Sequence, residues 1–265
     1  MVIKELKENL ENNGVKKGDF ICVFSDITSF GIPAVIKNKV KASGINFLLD
    51  SYIDTFKDVV GREGLVVMPT FTYSATKNQI FDLADSKSEV GALTEYFRKQ
   101  PQVVRSSHPI FSFAAWGNGA KNFLKLESYD CFGRKSILGK LHDAKAKYIL
   151  LGAGMHESAT FVLYSEQKNK VYYRYFKNFT GIIKDGKKKF ELSVRYFVRD
   201  LNHNYSWRQL EKDALGRGII KKFKFSGGDI LLVDSRKIDG LIKHKLKENK
   251  NYLTIQSNEK FKTNN

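Results

Sequence analysis

The sequence of 265 residues is poor in several features that would mark a special class of protein. Its two cysteines, Cys22 and Cys131, show no metal-ligand spacing and are too few for a disulfide framework, so a reducing compartment is expected. Four prolines and 20 glycines exclude collagen-like and low-complexity chains. No apolar run approaches the ~18 residues that a membrane span needs, and no secretory leader pattern is visible. We therefore expect a cytoplasmic protein without a membrane partner.

Acidic residues are scarce relative to basic ones, with 28 Asp and Glu against 45 Lys and Arg, which gives a net charge of +17. Such a charge predicts anionic partners, either nucleic acid, a membrane surface or phosphorylated small molecules. The hydrophobic share of 42% excludes intrinsic disorder. Walker A, GxGxxG, HExxH and paired CxxC motifs are all missing, which removes the common NTPase, dinucleotide-binding and zinc-dependent classes and predicts no metal.

Short apolar runs alternate with amphipathic stretches, which predicts a layered α/β domain. Strands are predicted at 20–24, 65–68, 110–116 and 148–151, and helices at 45–60, 91–100 and 158–168. Residues 171–200 are basic and aromatic, and Asp185-Gly186 predicts a hairpin turn, so we expect a β insertion at the edge of the main sheet. The C-terminal stretch is expected to be a helix that fades into a frayed polar tail. One domain over residues 1–265 is expected.

Three loops carry groups that suit chemistry. The run Val104-Arg105-Ser106-Ser107-His108-Pro109 joins a cation, two hydroxyls and an imidazole that can take a proton near neutral pH. The run from Ser25 to Gly31 follows the first strand, where Ser, Thr and Asp26 either cap a helix or help to bind phosphate. The run from Gly154 to Glu166 contains His156, a second candidate base. Each loop also has a purely structural interpretation: His108 caps a neighbouring strand, Ser25 or Asp26 caps a helix, and His156 is an exposed loop histidine.

The third run also predicts a helix on which Thr160, Leu163 and Glu166 share one stripe. A carboxylate on a core-facing stripe is costly unless it is paired. We therefore expect Glu166 to have a cationic or hydrogen-bonded partner, whatever its role.

Several segments in this order resemble the aminoglycoside N3-acetyltransferase-like family. They are GDFICVFSDITSFG, EGLVVMPTFTYSAT, VVRSSHPIFSFAAWG, FGRKSILGKL and AKYILLGAGMHESATFVLYSEQ, followed by YYRYFKNFTG, over roughly residues 15–180. The resemblance implies an α/β/α layered mixed sheet with a small β-hairpin embellishment, and an acetyl-CoA-dependent N-acetyltransferase activity.

The resemblance also implies site residues. Coenzyme A is expected to lie against the loop after the first strand, with help from two other loops. The residues implied for the donor are Phe24, Ser25, Ile27, Thr28, Ser29, Gly31, Arg105, Ser106, Phe132, Gly133 and Ser136. Those implied for the acceptor are Thr70, Tyr73, Thr160, Arg174 and Lys177.

The catalytic base is where this chain departs from the family. The family helix motif has Thr, a catalytic His three residues on and Glu three further, whereas the corresponding positions here are Thr160, Leu163 and Glu166. The base role then falls to His108, His156 or Asp26, with Asp26 or Glu166 as orienting groups and Ser107 as a donor to the oxyanion. Otherwise the chain has lost the activity.

The net charge favours an acceptor carried on a nucleotide diphosphate, because aminoglycosides are polycations and nucleotide sugars are polyanions. The SDITSFG and ATFVLYSEQ…YYRYFKNFTG stretches also resemble the branch of the family that is associated with surface-polysaccharide sugars. Together, the charge and this resemblance lead us to expect a nucleotide-linked amino sugar used in surface polysaccharide synthesis. The alternatives are an aminoglycoside 3-N-acetyltransferase of antibiotic resistance and a nucleic-acid-binding protein that uses the basic hairpin. Both enzyme assignments predict no nucleic acid partner. They are compatible with a homodimer.

Overall fold

The computed structural model describes residues 1–255. Two sets of elements make up the fold. The helices are α1 (Lys4–Asn12), α2 (Lys37–Ser43), α3 (Ile45–Val60), α4 (Ala92–Phe97), α5 (Ala120–Leu124), α6 (Ile137–Asp143), α7 (Met155–Ser158), α8 (Val162–Lys168), α9 (Arg208–Gly216) and α10 (Ser235–Glu248). The strands are β1 (Phe20–Ser25), β2 (Leu65–Pro69), β3 (Ile80–Asp82), β4 (Val104–Arg105), β5 (Phe113–Gly117), β6 (Lys147–Leu151), β7 (Arg174–Asp185), β8 (Lys188–Arg199), β9 (Ile220–Phe225) and β10 (Gly228–Asp234).

The main sheet has seven strands in the order β4-β5-β2-β1-β6-β10-β9. Its centre is parallel, because β1 pairs in the same direction with β2 on one side and with β6 on the other. Strands β5 and β10 flank this centre and run antiparallel to it. The carboxyl ends of β2, β1 and β6 therefore meet at one edge of the sheet.

Alternate residues of the central strands point into two separate cores. On β1, Ile21 and Val23 pack with α1 and α3 on one face, while Cys22 and Phe24 pack with α6, α8 and α10 on the other. Strands buried on both faces need continuous apolar runs, which these segments supply. The predicted α/β/α layered mixed sheet is confirmed.

The hairpin of β7 and β8 lies in a different sheet from the one predicted. It forms a three-stranded sheet with β3, which pairs in parallel with β7 through Ile80 and Ile182. The two edges of the main sheet are β4 and β9 instead. The prediction of a hairpin turning at Asp185-Gly186 is confirmed, but its placement at the main sheet's edge is wrong because β3 pairs with it.

Two predicted elements begin later than expected. The strand predicted from Ile110 starts at Phe113, because the amides of Ile110 and Phe111 donate to the His108 ring instead of joining the sheet. The helix predicted over 158–168 starts at Val162 as α8, because the amide of Thr160 turns back to the carbonyl of Ser158 at 2.8 Å and separates α8 from the preceding α7.

The C-terminal helix is present as α10, and its first turn is capped by Asp234, which accepts from the amides of Arg236 and Lys237. The predicted polar tail at 256–265 lies outside the described residues. Within residues 1–255, no helix has the length and apolarity that crossing a membrane requires. The same part of the chain has no group of three or more His, Cys, Asp or Glu that could hold a metal ion.

Candidate active site

A cavity of about 580 Å³ opens at the carboxyl edge of the three parallel strands. Open α/β sheets bind their ligands at this position, where neighbouring strands continue to opposite sides. The walls come from the ends of β1, β2 and β6 and from the loops that follow them. The lining residues are Phe24, Ser25, Asp26, Pro69, Phe71, Tyr73, Val90, Gly152, Ala153, Gly154, Glu157, Ser158 and Thr160.

The charges on this lining are all negative. Asp26 and Glu157 are the lining carboxylates, and neither Lys nor Arg lines the cavity in the part of the chain that the structure describes. Asp26 ends β1 and caps the short 3₁₀ helix at 27–30, where Oδ1 accepts from the amide of Thr28 at 3.1 Å and from its hydroxyl at 2.5 Å. A site of this charge favours a cationic ligand.

Glu157 reaches the cavity from α7, on the loop side of β6. Its side chain bends back over Gly154, so that a Cβ added to that glycine would lie 2.6 Å from Glu157 Oε2 and 3.5 Å from Glu211 Oε2. Glu211, on α9, accepts from the amide of Met155 at 2.8 Å and so fixes the start of α7. Two carboxylates therefore converge on this stretch of backbone.

The loop after β6 approaches the loop after β1 so closely that a side chain is excluded. Gly152 has φ +78°, and a Cβ there would overlap Ser29 Oγ and the carbonyl oxygen of Asp26. The amide of Asp26 also donates to the carbonyl of Leu151 at 2.8 Å. These contacts hold the two loops together and give the cavity its floor.

Part of the cavity lining is aromatic. Phe71 packs edge-on against Tyr73, Phe111 and Phe113, with ring centroids 4.9–6.2 Å apart. Burial raises the pKa of Tyr73, so its phenol stays protonated. A cavity lined by both aromatic rings and carboxylates is suited to a ligand that has both a hydrocarbon face and positive charge.

The structure places the Arg105-Ser106-Ser107-His108 loop behind the cavity lining. The guanidinium of Arg105 donates to the carbonyls of Thr70 at 2.7 Å and Ser86 at 2.6 Å. Burial lowers the pKa of Arg105 to about 10, which still leaves it charged at neutral pH. The hydroxyl of Ser106 accepts from the amide of Phe113 at 2.9 Å. Apart from Ser107, which is half-buried, these groups hold the loop to β2 and β5.

His108 is a buried, neutral imidazole. Its Nδ1 accepts from the amides of Ile110 at 3.2 Å and Phe111 at 3.0 Å, so the proton lies on Nε2. Burial lowers the pKa of His108 to about 3. Such a ring is a weak proton acceptor, and it does not line the cavity. The geometry therefore argues against the base role that the sequence suggested for it.

Along α8 and the turn before it, the structure separates the three residues of the predicted stripe. Thr160 lines the cavity, whereas Leu163 packs into the core and Glu166 is fully buried behind it. The Glu166 carboxylate accepts hydrogen bonds from Arg174 Nε at 2.5 Å and from the Tyr173 hydroxyl at 3.1 Å. The prediction that Glu166 has a cationic or hydrogen-bonded partner is confirmed. Arg174, expected at the acceptor, is thus directed into an interior ion pair and not into the cavity.

The other predicted residues are dispersed. Phe132 packs against Phe111, Asp130 accepts from the amide of Gly133, and Ser136 caps α6. Lys177 is exposed on β7. Three groups of predicted residues follow from these positions. Those that line the cavity are Phe24, Ser25, Asp26, Tyr73 and Thr160. Those beside it in the loop after β1 are Ile27, Thr28, Ser29 and Gly31. Those outside its lining are Thr70, Arg105, Ser106, Ser107, His108, Phe132, Gly133, Ser136, His156, Glu166, Arg174 and Lys177.

His156 does not line the main cavity. Its ring lies 5.5 Å from that of Tyr205, and it lines a neighbouring depression together with Arg208 and Lys212. Glu157, the next residue, lines both spaces. The sequence analysis did not single out Glu157 as a site residue. Its position directly after the third parallel strand was the signal that would have identified it, since the carboxyl ends of such strands converge.

The fold and the cavity define a three-layer α/β protein with a ligand site at the carboxyl edge of its parallel strands. The chain belongs to the aminoglycoside 3-N-acetyltransferase family, since the family model of that description matches residues 39–247. This match confirms the resemblance seen in the sequence motifs.

Named relatives agree with the family. The chain is 28% identical over 191 residues to an SPbeta prophage-derived aminoglycoside N(3')-acetyltransferase-like protein, YokD, of Bacillus subtilis strain 168, with 60% of this chain and 63% of the relative covered. It is 31% identical over 141 residues to aminoglycoside N(3)-acetyltransferase IV of Salmonella sp, covering 51% of each. The chain thus spans between half and two thirds of these relatives' length.

Solved structures share the fold. The crystal structure of the aminoglycoside acetyltransferase AAC(3)-Xa matches with a TM-score of 0.76 and 20% identity, covering 92% of this chain and 91% of that one. The structure of AAC-IIIb in a binary complex with CoASH matches with a TM-score of 0.76 and 20% identity, covering 94% and 97%.

Proposed function

We propose that this chain is an acetyl-CoA-dependent N-acetyltransferase whose acceptor is a polycationic amino sugar of the aminoglycoside type. The observation that carries the proposal is the cavity at the carboxyl edge of β1, β2 and β6, which is lined by Asp26 and Glu157 and by neither Lys nor Arg within residues 1–255. One relative named above is an aminoglycoside N(3)-acetyltransferase and the other is an aminoglycoside N(3')-acetyltransferase-like protein, which supports the same acceptor class.

The carboxylates that line the cavity favour a different acceptor from the one that the net charge suggested. The +17 charge favoured an acceptor linked to a nucleotide diphosphate. Much of the positive charge lies on outer surfaces, as on β9, where Lys222 and Lys224 pair with Asp229 at 2.9 Å and 2.7 Å. Binding depends on the potential inside the cleft, and low-dielectric walls focus the field of the nearest charges there. The nucleotide-linked sugar is accordingly the less supported acceptor.

The acetyl donor is assigned to the aromatic side of the cavity and to the loop after β1. Phe24 and Phe71 offer an apolar surface for the pantetheine arm, and Ser25 Oγ is buried beside them with no hydrogen-bond partner among the described residues. A thioester oxygen or amide of the donor would satisfy that hydroxyl. Arg105 and Ser106 would support this wall from behind without contacting the donor.

The test is acetyl transfer by the purified protein, followed as release of the coenzyme A thiol. Aminoglycosides, amino sugars linked to nucleotide diphosphates and a no-acceptor control are compared at equal concentration. The proposal expects turnover with at least one aminoglycoside and none in the control. Turnover confined to nucleotide-linked sugars would overturn the proposed acceptor class.

Coenzyme A binding separates the enzyme from the nucleic-acid-binding alternative. A ligand at 100 times its Kd stabilises the folded state by about 2.7 kcal/mol, which appears as a rise in Tm. Coenzyme A is expected to raise the Tm, while an oligonucleotide that did so instead, with a steep salt dependence, would favour nucleic acid binding. A rise with coenzyme A but no turnover on any amine would mark a family member that has lost activity, as Leu163 suggests.

A further inference from the structure

The proposed reaction needs a group that takes a proton from the acceptor ammonium, because a protonated amine has no lone pair for attack. Within the described residues, the titratable groups that line the cavity are Asp26, Tyr73 and Glu157. Burial raises the pKa of Tyr73, so its phenol is a donor and not an acceptor of protons. The choice lies between the two carboxylates.

Asp26 is held by its own loop. Its Oδ1 takes both the amide and the hydroxyl of Thr28, while its backbone is fixed to Leu151 and Ser29. Protonation of this carboxylate would weaken the cap of the 3₁₀ helix at 27–30, because a neutral carboxyl accepts the two hydrogen bonds from Thr28 less strongly than a carboxylate does. Asp26 is therefore suited to attracting a cation and poorly suited to cycling a proton.

Glu157 is not committed in this way. Residues 1–255 give its carboxylate neither a hydrogen bond nor an ion pair, and its side chain is exposed to the cavity mouth, where protons exchange with water. The charged groups that surround it are Asp26 from the loop after β1, Glu211, Arg208 and Lys212 from α9, and His156 on its own helix. Glu211 is committed to the amide of Met155.

We infer that Glu157 is the general base of the proposed transfer. The inference rests on the proposed function and assigns its proton acceptor. One carboxylate oxygen of Glu157 takes a proton from the acceptor R–NH₃⁺, which gives R–NH₂ and a neutral carboxyl. The nitrogen lone pair forms the N–C bond to the acetyl carbonyl, and the C–S bond breaks. The leaving thiolate takes the second nitrogen proton, so the products are the N-acetyl amide and coenzyme A thiol, and Glu157 releases its proton to water.

The experiment compares the Glu157→Gln variant with wild type across pH, measuring kcat and both KM values. Removal of a general base typically costs 10²–10⁴-fold in rate. We expect kcat of the variant to fall by about that factor near neutral pH, with the KM for acetyl-CoA unchanged. The rate of the variant is expected to rise about tenfold per pH unit over the range where the acceptor amine is mostly protonated. Without the base, the variant can use only the acceptor molecules whose amine is already deprotonated in solution.

The matched control is Glu191→Gln, the same change on the exposed face of β8 and outside the cavity lining. It is expected to keep the wild-type kcat and pH profile. Thermal unfolding checks that both variants fold. We expect that they do, because both positions are exposed. A raised acceptor KM with unchanged kcat would show that Glu157 only anchors the ammonium, and it would overturn the inference while the proposed function stands. A wild-type protein that transfers acetyl to no amine would overturn both.

Discussion

Replacing Arg174 by methionine would leave the Glu166 carboxylate inside the protein without its cation. Both side chains are interior, at 5% and 0% exposure, and they meet at 2.5 Å between Arg174 Nε and Glu166 Oε2. The Tyr173 hydroxyl at 3.1 Å and the Trp207 indole at 3.4 Å remain as donors. Removing one partner of a buried ion pair costs about 3–5 kcal/mol, and the remaining donors place this variant towards the lower end.

The loss must depend on pH with a definite sign. Burial raises the pKa of Glu166 above its ordinary value, although Arg174 opposes the shift, and removing that cation raises the pKa further. A carboxyl group with a raised folded-state pKa contributes stability that is present below the unfolded-state pKa and lost as pH rises through the folded-state value. The deficit of the Arg174→Met variant is therefore larger at about pH 7.5 than at about pH 5.

Urea unfolding of the wild type and three variants measures this deficit. Lys177→Met removes an exposed cation from the same strand and is expected to change the free energy of unfolding by no more than about 0.5 kcal/mol. The double variant Glu166→Gln with Arg174→Met removes the buried charge and should recover most of the loss. An Arg174→Met variant within about 1 kcal/mol of wild type at pH 7.5, or a deficit that grows in acid, would refute this reasoning.

Two further predictions concern the cavity floor and the buried histidine. In Gly152→Ala the new Cβ lies on a residue with left-handed φ and overlaps Ser29 and Asp26. The control is Gly186→Ala, where φ is +57° but an added Cβ has no atom within 4 Å, and about 1 kcal/mol of destabilisation is expected. Gly152→Ala should destabilise the protein by more than this control, and equal melting temperatures of the two variants would contradict the reasoning. The pKa of about 3 for His108 means that, as pH falls below ~6.5, the unfolded chain binds a proton that the folded chain does not. This difference lowers the free energy of unfolding by about 1.4 kcal/mol per pH unit. The free energy of unfolding should therefore fall less steeply with acid in His108→Gln than in wild type, and equal slopes would refute the assignment.

Local pattern was enough to predict most of the fold. Strands β1, β2 and β6 were recognisable because a strand buried on both faces must be apolar throughout, as Phe20–Phe24 is. Partners across the chain were not predictable in the same way. The hairpin of β7 and β8 pairs with the three-residue strand β3, which is too short to have a periodic signal. Strand β5 starts later than predicted because the His108 ring accepts hydrogen bonds from the amides of Ile110 and Phe111. No pattern of apolar residues indicates such hydrogen bonds.

By itself, the sequence determined the layered α/β architecture, the family and the need of Glu166 for a partner, because each follows from apolar periodicity, motif order or the cost of burying a charge. Only the tertiary structure decided that Asp26 and Glu157 face one cavity, that Arg174 is the partner of Glu166, and that His108 lies behind the lining. The net charge of a chain is a sum over all its residues, whereas the potential in a cleft depends on the few that the fold brings together there.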